Sequence, residues 1–165
     1  MNDALKLNFL EKRDLEFIRR LRNENRQHFL DSNYISEQDQ QRWYKSYLLK
    51  NDDQMFVLEN NGISVGCGAL YNIDINKKKA EVGRFVIDKS HRGKGYGGIL
   101  IRLIEEMALS KFEIKELYLE VLAANIPAIL LYKRMGYKEV GRQSGSVFKM
   151  VKRNLVADII QSKYA

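Results

Sequence analysis

The sequence predicts a single α/β domain built on a mixed β-sheet, and three observations support this fold class. The chain of 165 residues is long enough for one domain with a sizeable buried core. A strand pattern, a glycine-rich loop, a helix pattern and a second strand follow one another between Ala80 and Leu122, which is the order of a βαβ unit. Hairpin signals stand before and after this unit. The sheet should therefore contain both antiparallel and parallel strand pairs.

The N-terminal half predicts a strand, two helices and a hairpin, in that order. Leu5 to Leu10 alternates apolar and polar residues, as a half-buried strand does. A helix is predicted for Lys12 to Arg22, and a second helix should begin at Ser36 because Asp39 stands three residues later, as in a capping box. The aromatic stripe of the second helix is expected in the core. The turn Asn60-Asn61-Gly62 predicts a hairpin of two further strands, 54–59 and 63–71.

After the βαβ unit the sequence predicts a short helix and a final hairpin. Asn125 is a natural N-cap, Pro127 is tolerated in a first turn, and Gly136 should end the helix. Strands are predicted for 137–143 and 147–153, and a weak helix for 155–164.

The glycine-rich loop, from Arg92 to Gly98, predicts an anion site. It contains four glycines and two cations, and it lies between a strand end and a helix start. Glycine lets the backbone approach a ligand closely, and the first N–H groups of a helix lack intrahelical partners. Because the helix dipole adds partial positive charge there, a phosphate or diphosphate is the natural ligand. The loop residues are Arg92, Gly93, Lys94, Gly95, Tyr96, Gly97 and Gly98.

Two phosphate-binding folds compete for this loop. The Walker pattern is absent, which argues against a P-loop NTPase. A literal G-x-G-x-x-G is formed by Gly93, Gly95 and Gly98, and acidic residues follow roughly 20 positions later, so a dinucleotide fold is an alternative. Against it, the polar stretch 88–92 separates the motif from its strand, and the motif comes past mid-chain.

Composition narrows the function classes. The net charge of +7 is spread along the chain, which favours a small anionic ligand over nucleic acid. The single cysteine, Cys67, lies in an apolar run, and no Cys/His cluster suggests a metal site. No apolar stretch approaches 18 residues and no signal segment is recognisable, so we expect a cytoplasmic protein without membrane contact.

Two ordered motifs resemble those of the GNAT acetyltransferases. Arg92-x-x-Gly95-x-Gly97 is similar to the family's pyrophosphate loop, and the pattern N-x-x-A-x-x-x-Y-x-x-x-G-[FY], which runs from Asn125 to Tyr137, is similar to the motif that follows it. Together they cover roughly residues 80 to 140. The resemblance implies one GNAT domain over residues 1–165, with a mostly antiparallel twisted sheet, helices on both faces and a splayed parallel strand pair. It also implies acetyl-CoA as the co-substrate, direct transfer to a primary amine and no metal.

The resemblance assigns roles to individual residues. Tyr132 matches the family's general acid, and the candidates for a general base are Glu120 and Glu81. Neither base is required if the amine arrives neutral. Further residues are expected to contact the cofactor through their backbone or side chains: Phe85, Val86, Ile87, the loop residues 92–98, Asn125 and Tyr132.

The acceptor is predicted less directly. The run that contains Arg19, Arg20, Arg22 and Arg26 is either a solvated helix face, as charge runs usually are, or an anion site on the acceptor side. The stretch LRNENRQHF…YISEQDQQRWY, from residue 21 to residue 44, resembles the N-terminal part of acetyltransferases that act on amino-sugar nucleotides. The stretch from Glu120 to Tyr132 instead resembles ribosomal-protein N-terminal acetyltransferases. A CoA-binding module without catalysis is a third alternative, and a homodimer is compatible with all three.

Overall fold

The computed structural model describes residues 5–143, 145–153 and 155. These residues form seven strands and four α-helices, which follow one another in the predicted order. The strands are β1 Leu5–Phe9, β2 Asp53–Asn60, β3 Ile63–Asp74, β4 Lys79–Ile87, β5 Glu116–Leu122, β6 Lys138–Gln143 and β7 Val147–Arg153. The helices are α1 Leu15–Glu24, α2 Glu37–Tyr47, α3 Tyr96–Phe112 and α4 Ile126–Arg134.

All seven strands belong to one sheet with the order β1-β2-β3-β4-β5-β7-β6. Five of the neighbouring pairs are antiparallel, and β4 and β5 form the parallel pair that the βαβ unit predicts. The mixed, mostly antiparallel sheet is thus confirmed. A dinucleotide fold is excluded for the glycine loop, because such a fold requires a series of parallel strands.

Helices cover both faces of this sheet, as the resemblance implies. On one face α3 and α4 pack over a core that includes Leu100, Ile104, Leu117 and Tyr132. On the other face α1 and α2 pack over a smaller core with Leu21, Tyr47, Val57 and Val86. The site described below lies where these two cores meet across the sheet.

Local signals explain most element boundaries. Ser36 and Asp39 form the predicted capping box, since the Ser36 hydroxyl accepts from Asp39 N at 3.1 Å and the Asp39 carboxylate accepts from Ser36 N at 3.2 Å. Gly136 has a φ of +90°, which only glycine adopts readily, and the helix before it ends there. The first helix starts differently from the prediction, because residues 12–14 form a 3₁₀ turn before α1.

The aromatic stripe of α2 is only partly in the core. Tyr47 is buried, with Trp43 stacked on it at 5.1 Å between ring centroids and Tyr44 at 6.1 Å. Leu48, which the sequence pattern placed next to these aromatic residues on the same expected core face, is 62% exposed, so that expectation was wrong for Leu48. The helix ends at Tyr47, and Leu48 therefore leaves the buried face. The weak helix predicted for 155–164 lies outside the described residues apart from Leu155. Among the helices described here, none has the length and apolarity to span a bilayer.

Candidate active site

A gap opens in the sheet between β4 and β5. The two strands pair only at their beginnings, where 79–81 face 116–118. Beyond Glu81 and Tyr118 no ladder joins them, although β4 continues to Ile87 and β5 to Leu122. After Glu81, the backbone groups on the edge of β4 that faces β5 therefore have no partners in the sheet. Phe85, Val86 and Ile87 lie in this unpaired part of β4. A ligand arm can hydrogen bond to such an edge.

The glycine-rich loop stands where β4 meets α3. Gly93 and Gly95 have φ values of +76° and +80°, and a Cβ added at either position would find no atom within 4 Å, so the space over the loop is open. The helical hydrogen bond from Ile99 N to Gly95 O, at 3.2 Å, leaves the N–H groups of the first turn without helical acceptors. The loop thus presents N–H donors and a helix N-terminus to open space, which fits a diphosphate.

Side chains at the base of this loop hold it against α1. Arg92 donates to Asn25 Oδ1 at 2.6 Å and to the Ile87 carbonyl at 3.2 Å. Arg20 donates to the Asp88 carboxylate at 2.6 Å, and Ser90 donates to the same carboxylate. The hydrogen bonds from Ser90 and from Arg20 hold the pKa of Asp88 well below its usual range. The Arg92 guanidinium is therefore engaged within the protein, while the Lys94 side chain, also predicted to bind the cofactor, belongs to an exposed residue.

Tyr132 lies on α4 beside the gap. Its ring contacts Phe85 of β4 at 6.1 Å and Tyr137 at 6.0 Å between centroids. Burial raises the Tyr132 pKa above its ordinary value, so the hydroxyl stays protonated at neutral pH. Asn125 caps the same helix, since its Oδ1 accepts from Ala128 N at 3.4 Å. Tyr132 thus carries a protonated hydroxyl, and Asn125 caps the start of the helix that carries it.

The two candidate bases, Glu81 and Glu120, lie on the sheet face that is opposite to Tyr132. Glu81 accepts two hydrogen bonds, from the Tyr71 hydroxyl at 3.0 Å and from the Asn72 amide at 2.8 Å. Glu120 stands opposite Lys149 in the β5–β7 ladder. Both carboxylates act on Tyr118, whose pKa is raised by burial first and then by Glu81, with a smaller contribution from Glu120. The structure thus brings Glu81 and Glu120 to one mouth of the gap.

The sequence analysis missed the groups around Glu81. Tyr71 and Asn72 are consecutive residues of β3, and a regular strand would point them to opposite faces. Beside them, Arg84 makes a two-pronged contact with the buried Asp53 at 2.7 and 3.0 Å. Arg84 and Asn72 both have positive φ, at +55° and +50°, and the ladder register shifts near each. Neither residue is a glycine, and the one local signal was the asparagine at position 72, a residue type that tolerates positive φ.

The arginine run is largely engaged within the protein. Arg19 bonds Glu16 at 2.6 Å, and Arg20 is held by Asp88 as described. Arg22 lies over the Phe29 ring at 3.7 Å and donates to the Asp31 carbonyl. These contacts order the segment between α1 and α2. They reduce the positive charge available to an acceptor, on which the amino-sugar nucleotide prediction depended.

Cys67 has no catalytic setting. It is buried in the core on the α1–α2 face, and burial raises the pKa of its thiol to about 12. A neutral thiol is a poor nucleophile. Among the residues described, His, Cys, Asp and Glu form no group of three or more that could hold a metal ion.

Comparison with known proteins agrees with this geometry. A sequence model of the acetyltransferase (GNAT) family matches residues 15–137. A spermidine N(1)-acetyltransferase of Vibrio cholerae is 29% identical over 99% of this chain and 97% of its own length, and an N-alpha-acetyltransferase of Sulfurisphaera tokodaii is 29% identical over 59% and 64%. The crystal structure of the Vibrio cholerae spermidine N-acetyltransferase in complex with CoA and spermine superposes with a TM-score of 0.86 at 26% identity, covering 96% of this chain and 99% of that one.

The site has the features that acetyl-CoA requires. That co-substrate supplies an acetyl thioester at the end of a long arm whose other end carries a diphosphate. The open loop at the start of α3 can hold the diphosphate, and the unpaired edge of β4 can hydrogen bond to the arm. Because the family match spans most of the chain and the solved relative binds CoA, the fold and the comparisons lead to one assignment. The chain belongs to the GNAT family and is an acetyl-CoA-dependent N-acetyltransferase.

Proposed function

We propose that this enzyme acetylates a primary amine of a polyamine such as spermidine or spermine. The observation that carries the proposal is the pair of carboxylates, Glu81 and Glu120, at one mouth of the β4–β5 gap. A polyamine is a polycation, so a chain of net charge +7 can bind it only where carboxylates dominate locally. The full-length similarity to spermidine N-acetyltransferases supports the same class and favours it over an amino-sugar nucleotide.

The cofactor side of the proposal uses the predicted residues. Loop residues 93–98 would donate hydrogen bonds from their backbone N–H groups to the diphosphate. Arg92 would stabilise the loop through its bonds to Asn25 and to the Ile87 carbonyl. The backbone of 85–87 would bind the arm of acetyl-CoA and place the thioester carbonyl near a backbone N–H, which stabilises negative charge that develops on the carbonyl oxygen. Asn125 would contact the arm from the start of α4.

Tyr132 is proposed as the general acid. The leaving CoA thiolate is a better leaving group when a donor stabilises its charge, and a thiol has an ordinary pKa of about 8.5. Burial raises the Tyr132 pKa, so the hydroxyl is present as a donor throughout the neutral range. Its neighbours Phe85 and Tyr137 are aromatic and hold the ring beside the gap.

Glu81 is proposed as the general base. An alkyl ammonium group has a pKa of about 10.4, so the amine must lose a proton before it attacks. Glu81 is held by two uncharged donors, which leave its negative charge available to the amine. Glu120 faces Lys149 across the ladder, and this cation competes with a substrate ammonium. We therefore assign Glu120 to orienting the acceptor and Glu81 to receiving its proton.

A second acceptor class has one observation in its favour. The N-alpha-acetyltransferase of Sulfurisphaera tokodaii matches 59% of the chain, which suggests the α-amine of a peptide. A CoA-release assay with acetyl-CoA would compare spermidine, spermine, peptides with free N-termini and an amino-sugar nucleotide. We expect the highest kcat/KM with a polyamine and weaker binding as salt rises, because screening weakens the attraction between charges. Turnover confined to peptides or to the sugar nucleotide would refute the polyamine proposal.

Replacing Tyr132 with Phe tests the acid. General acid–base catalysis contributes about 10²- to 10⁴-fold, so kcat should fall within that range while the Kd of acetyl-CoA changes little. An equal weakening of turnover and cofactor binding would instead mean that Tyr132 shapes the cofactor site.

A further inference from the structure

Glu81 is held in a way that an ordinary strand cannot provide. The Tyr71 hydroxyl donates to Oε1 at 3.0 Å and the Asn72 amide donates to Oε2 at 2.8 Å. Neighbouring residues of a strand normally face opposite sides of the sheet. Here the backbone of Asn72 has a φ of +50° and the β3–β4 register shifts between Tyr71 and Asp74, so both side chains reach the same carboxylate. Bulges that re-aim a side chain occur next to active sites.

The ring of Tyr71 has a second contact, with a cation. The Arg84 guanidinium lies over it at 4.4 Å and is bound at the same time to the buried carboxylate of Asp53. Arg84 is only three residues from Glu81 and has the charge to neutralise it. The Tyr71 side chain thus contacts Glu81 through its hydroxyl and Arg84 through its ring. This arrangement gives Arg84 a partner other than Glu81.

The Tyr71 hydroxyl packs closely against Gly83, which has no side chain to obstruct it. A Cβ placed on Gly83 would lie 2.8 Å from the Tyr71 hydroxyl oxygen, closer than real Cβ atoms approach. The hydroxyl therefore sits directly over the β4 backbone beside the gap. Tyr132 also acts on it, since burial, Glu81 and, more weakly, Tyr132 raise the Tyr71 pKa. Tyr71 packs against the α1–α2 core and Tyr132 belongs to the α3–α4 core, so the two rings lie on opposite faces of the sheet.

We propose that Tyr71 is a positioning residue for acetyl transfer, which holds the Glu81 carboxylate at the gap and keeps it separate from Arg84. This inference rests on the proposed role of Glu81 as the group that receives the proton of the amine. Tyr71 itself does not exchange a proton with the substrate. Its hydroxyl stabilises the charged form of Glu81 by a hydrogen bond, which is the form that a general base needs.

The test is the pH dependence of the Tyr71→Phe variant with acetyl-CoA and spermidine. Phe keeps the ring on which Arg84 stacks and removes only the hydroxyl. Hydrogen bonds to charged groups are worth enough to change a rate by about 10- to 100-fold, so we expect kcat to fall within that range. The acid limb of kcat/KM should move to higher pH, because a carboxylate that loses a donor is protonated more easily. The Kd of acetyl-CoA should be unchanged.

Two further variants make the result specific. Tyr44→Phe removes the hydroxyl of a tyrosine on α2 that packs against the same core as Tyr71, and it should leave the pH profile at its wild-type position because the donors to Glu81 are Tyr71 and Asn72. Glu81→Gln should be slow, and adding Tyr71→Phe to it should cause no further loss, because the two residues act as one unit.

The outcomes separate the inference from the proposed function. If Glu81→Gln is slow but Tyr71→Phe has the wild-type rate and pH profile, the positioning role is wrong while the base assignment stands. If the two losses multiply in the double variant, Tyr71 does not act through Glu81 and the inference is again overturned. A wild-type rate for Glu81→Gln overturns both the base assignment and the inference.

Discussion

The buried ion pair between Glu105 and Lys152 gives a stability prediction whose size follows from the structure. Glu105 lies on α3 and Lys152 on β7, and the Nζ and Oε2 atoms are 2.9 Å apart. Their side chains are only 3% and 6% exposed. Lys152 also lies 5.8 Å from the ring of Tyr137, which contacts Tyr132. The pair therefore joins the α3–α4 face of the sheet to the aromatic group beside the active site.

Replacing Lys152 with Met should strongly destabilise the fold. Met fills a similar volume but removes the ammonium group that lies 2.9 Å from the Glu105 carboxylate, and breaking a buried pair in this way costs about 3–5 kcal/mol. An unfolding entropy of about 2.1 cal/mol/K per residue gives about 0.35 kcal/mol/K for a chain of 165 residues, so a loss of about 4 kcal/mol lowers the Tm by about 11 °C. The double variant with Glu105→Leu should recover most of this loss, because apolar groups of similar size replace buried ion pairs at little cost.

The wild type, Lys152→Met, Glu105→Leu and the double variant form a double-mutant cycle. Urea unfolding and calorimetry of these four proteins would measure the coupling energy between Glu105 and Lys152. Lys77→Met is the matched control, since Lys77 pairs with Asp74 at 3.2 Å on the surface and exposed pairs contribute about 0–1 kcal/mol. The reasoning would be refuted if Lys152→Met melted with the wild type. It would also be refuted if the double variant were destabilised by the sum of the two single losses, because Glu105 and Lys152 would then contribute independently.

Two further predictions concern the strand and loop that we propose as the acetyl-CoA site. Gly66→Ala would place a Cβ 2.7 Å from the carbonyl oxygen of Val86, so β4 must shift. We expect the free energy of unfolding, measured in urea, to fall by about 1–3 kcal/mol, and kcat to fall as well. An unchanged kcat would show that catalysis tolerates a displaced β4 edge. Asp88 has a lowered pKa in the folded state, through its bonds to Ser90 and Arg20, so its contribution to stability is present above the ordinary Asp pKa of about 3.9 and is lost as the pH falls below it. Asp88→Asn should therefore make stability less dependent on pH below about 4 in acid titrations followed by circular dichroism, and an acid limb as steep as that of the wild type would contradict this.

The backbone of the proposed cofactor site could be predicted from the sequence because its signals are local. A strand, four glycines in the loop 93–98 and an apolar helix stripe are neighbours in the chain, so their geometry follows from backbone preferences. The cap at Asn125 and the helix end at Gly136 are local in the same way, and the structure has both. The order of strands in the βαβ unit then required a parallel pair.

The acceptor half could not be predicted because its geometry depends on irregular backbone. Asn72 and Arg84 adopt positive φ at bulges, and their sequence neighbours give no sign of this. A regular strand reading of β3 would have placed Tyr71 and Asn72 on opposite faces, and Glu81 would then have been an ordinary strand carboxylate. Positive φ in a non-glycine residue costs about 1–3 kcal/mol and persists where the surroundings enforce it, here through the bonds of Asn72 to Glu81 and of Arg84 to Asp53.

The arginine run shows how long-range pairing changes the meaning of a charge pattern. Arg20 reaches Asp88 across 68 positions of sequence, and Arg92 of the loop reaches Asn25 across 67. Asn23, in the same helix, holds Ile35 of the segment between α1 and α2 through two hydrogen bonds, at 2.8 and 2.9 Å. The C-terminal part of α1 therefore supports both the cofactor loop and the segment that borders the acceptor side. Because Arg20 and Arg92 are engaged within the protein, they are not available to an anionic acceptor, and the carboxylates that we propose at the gap are the physical reason to test polycationic amines first.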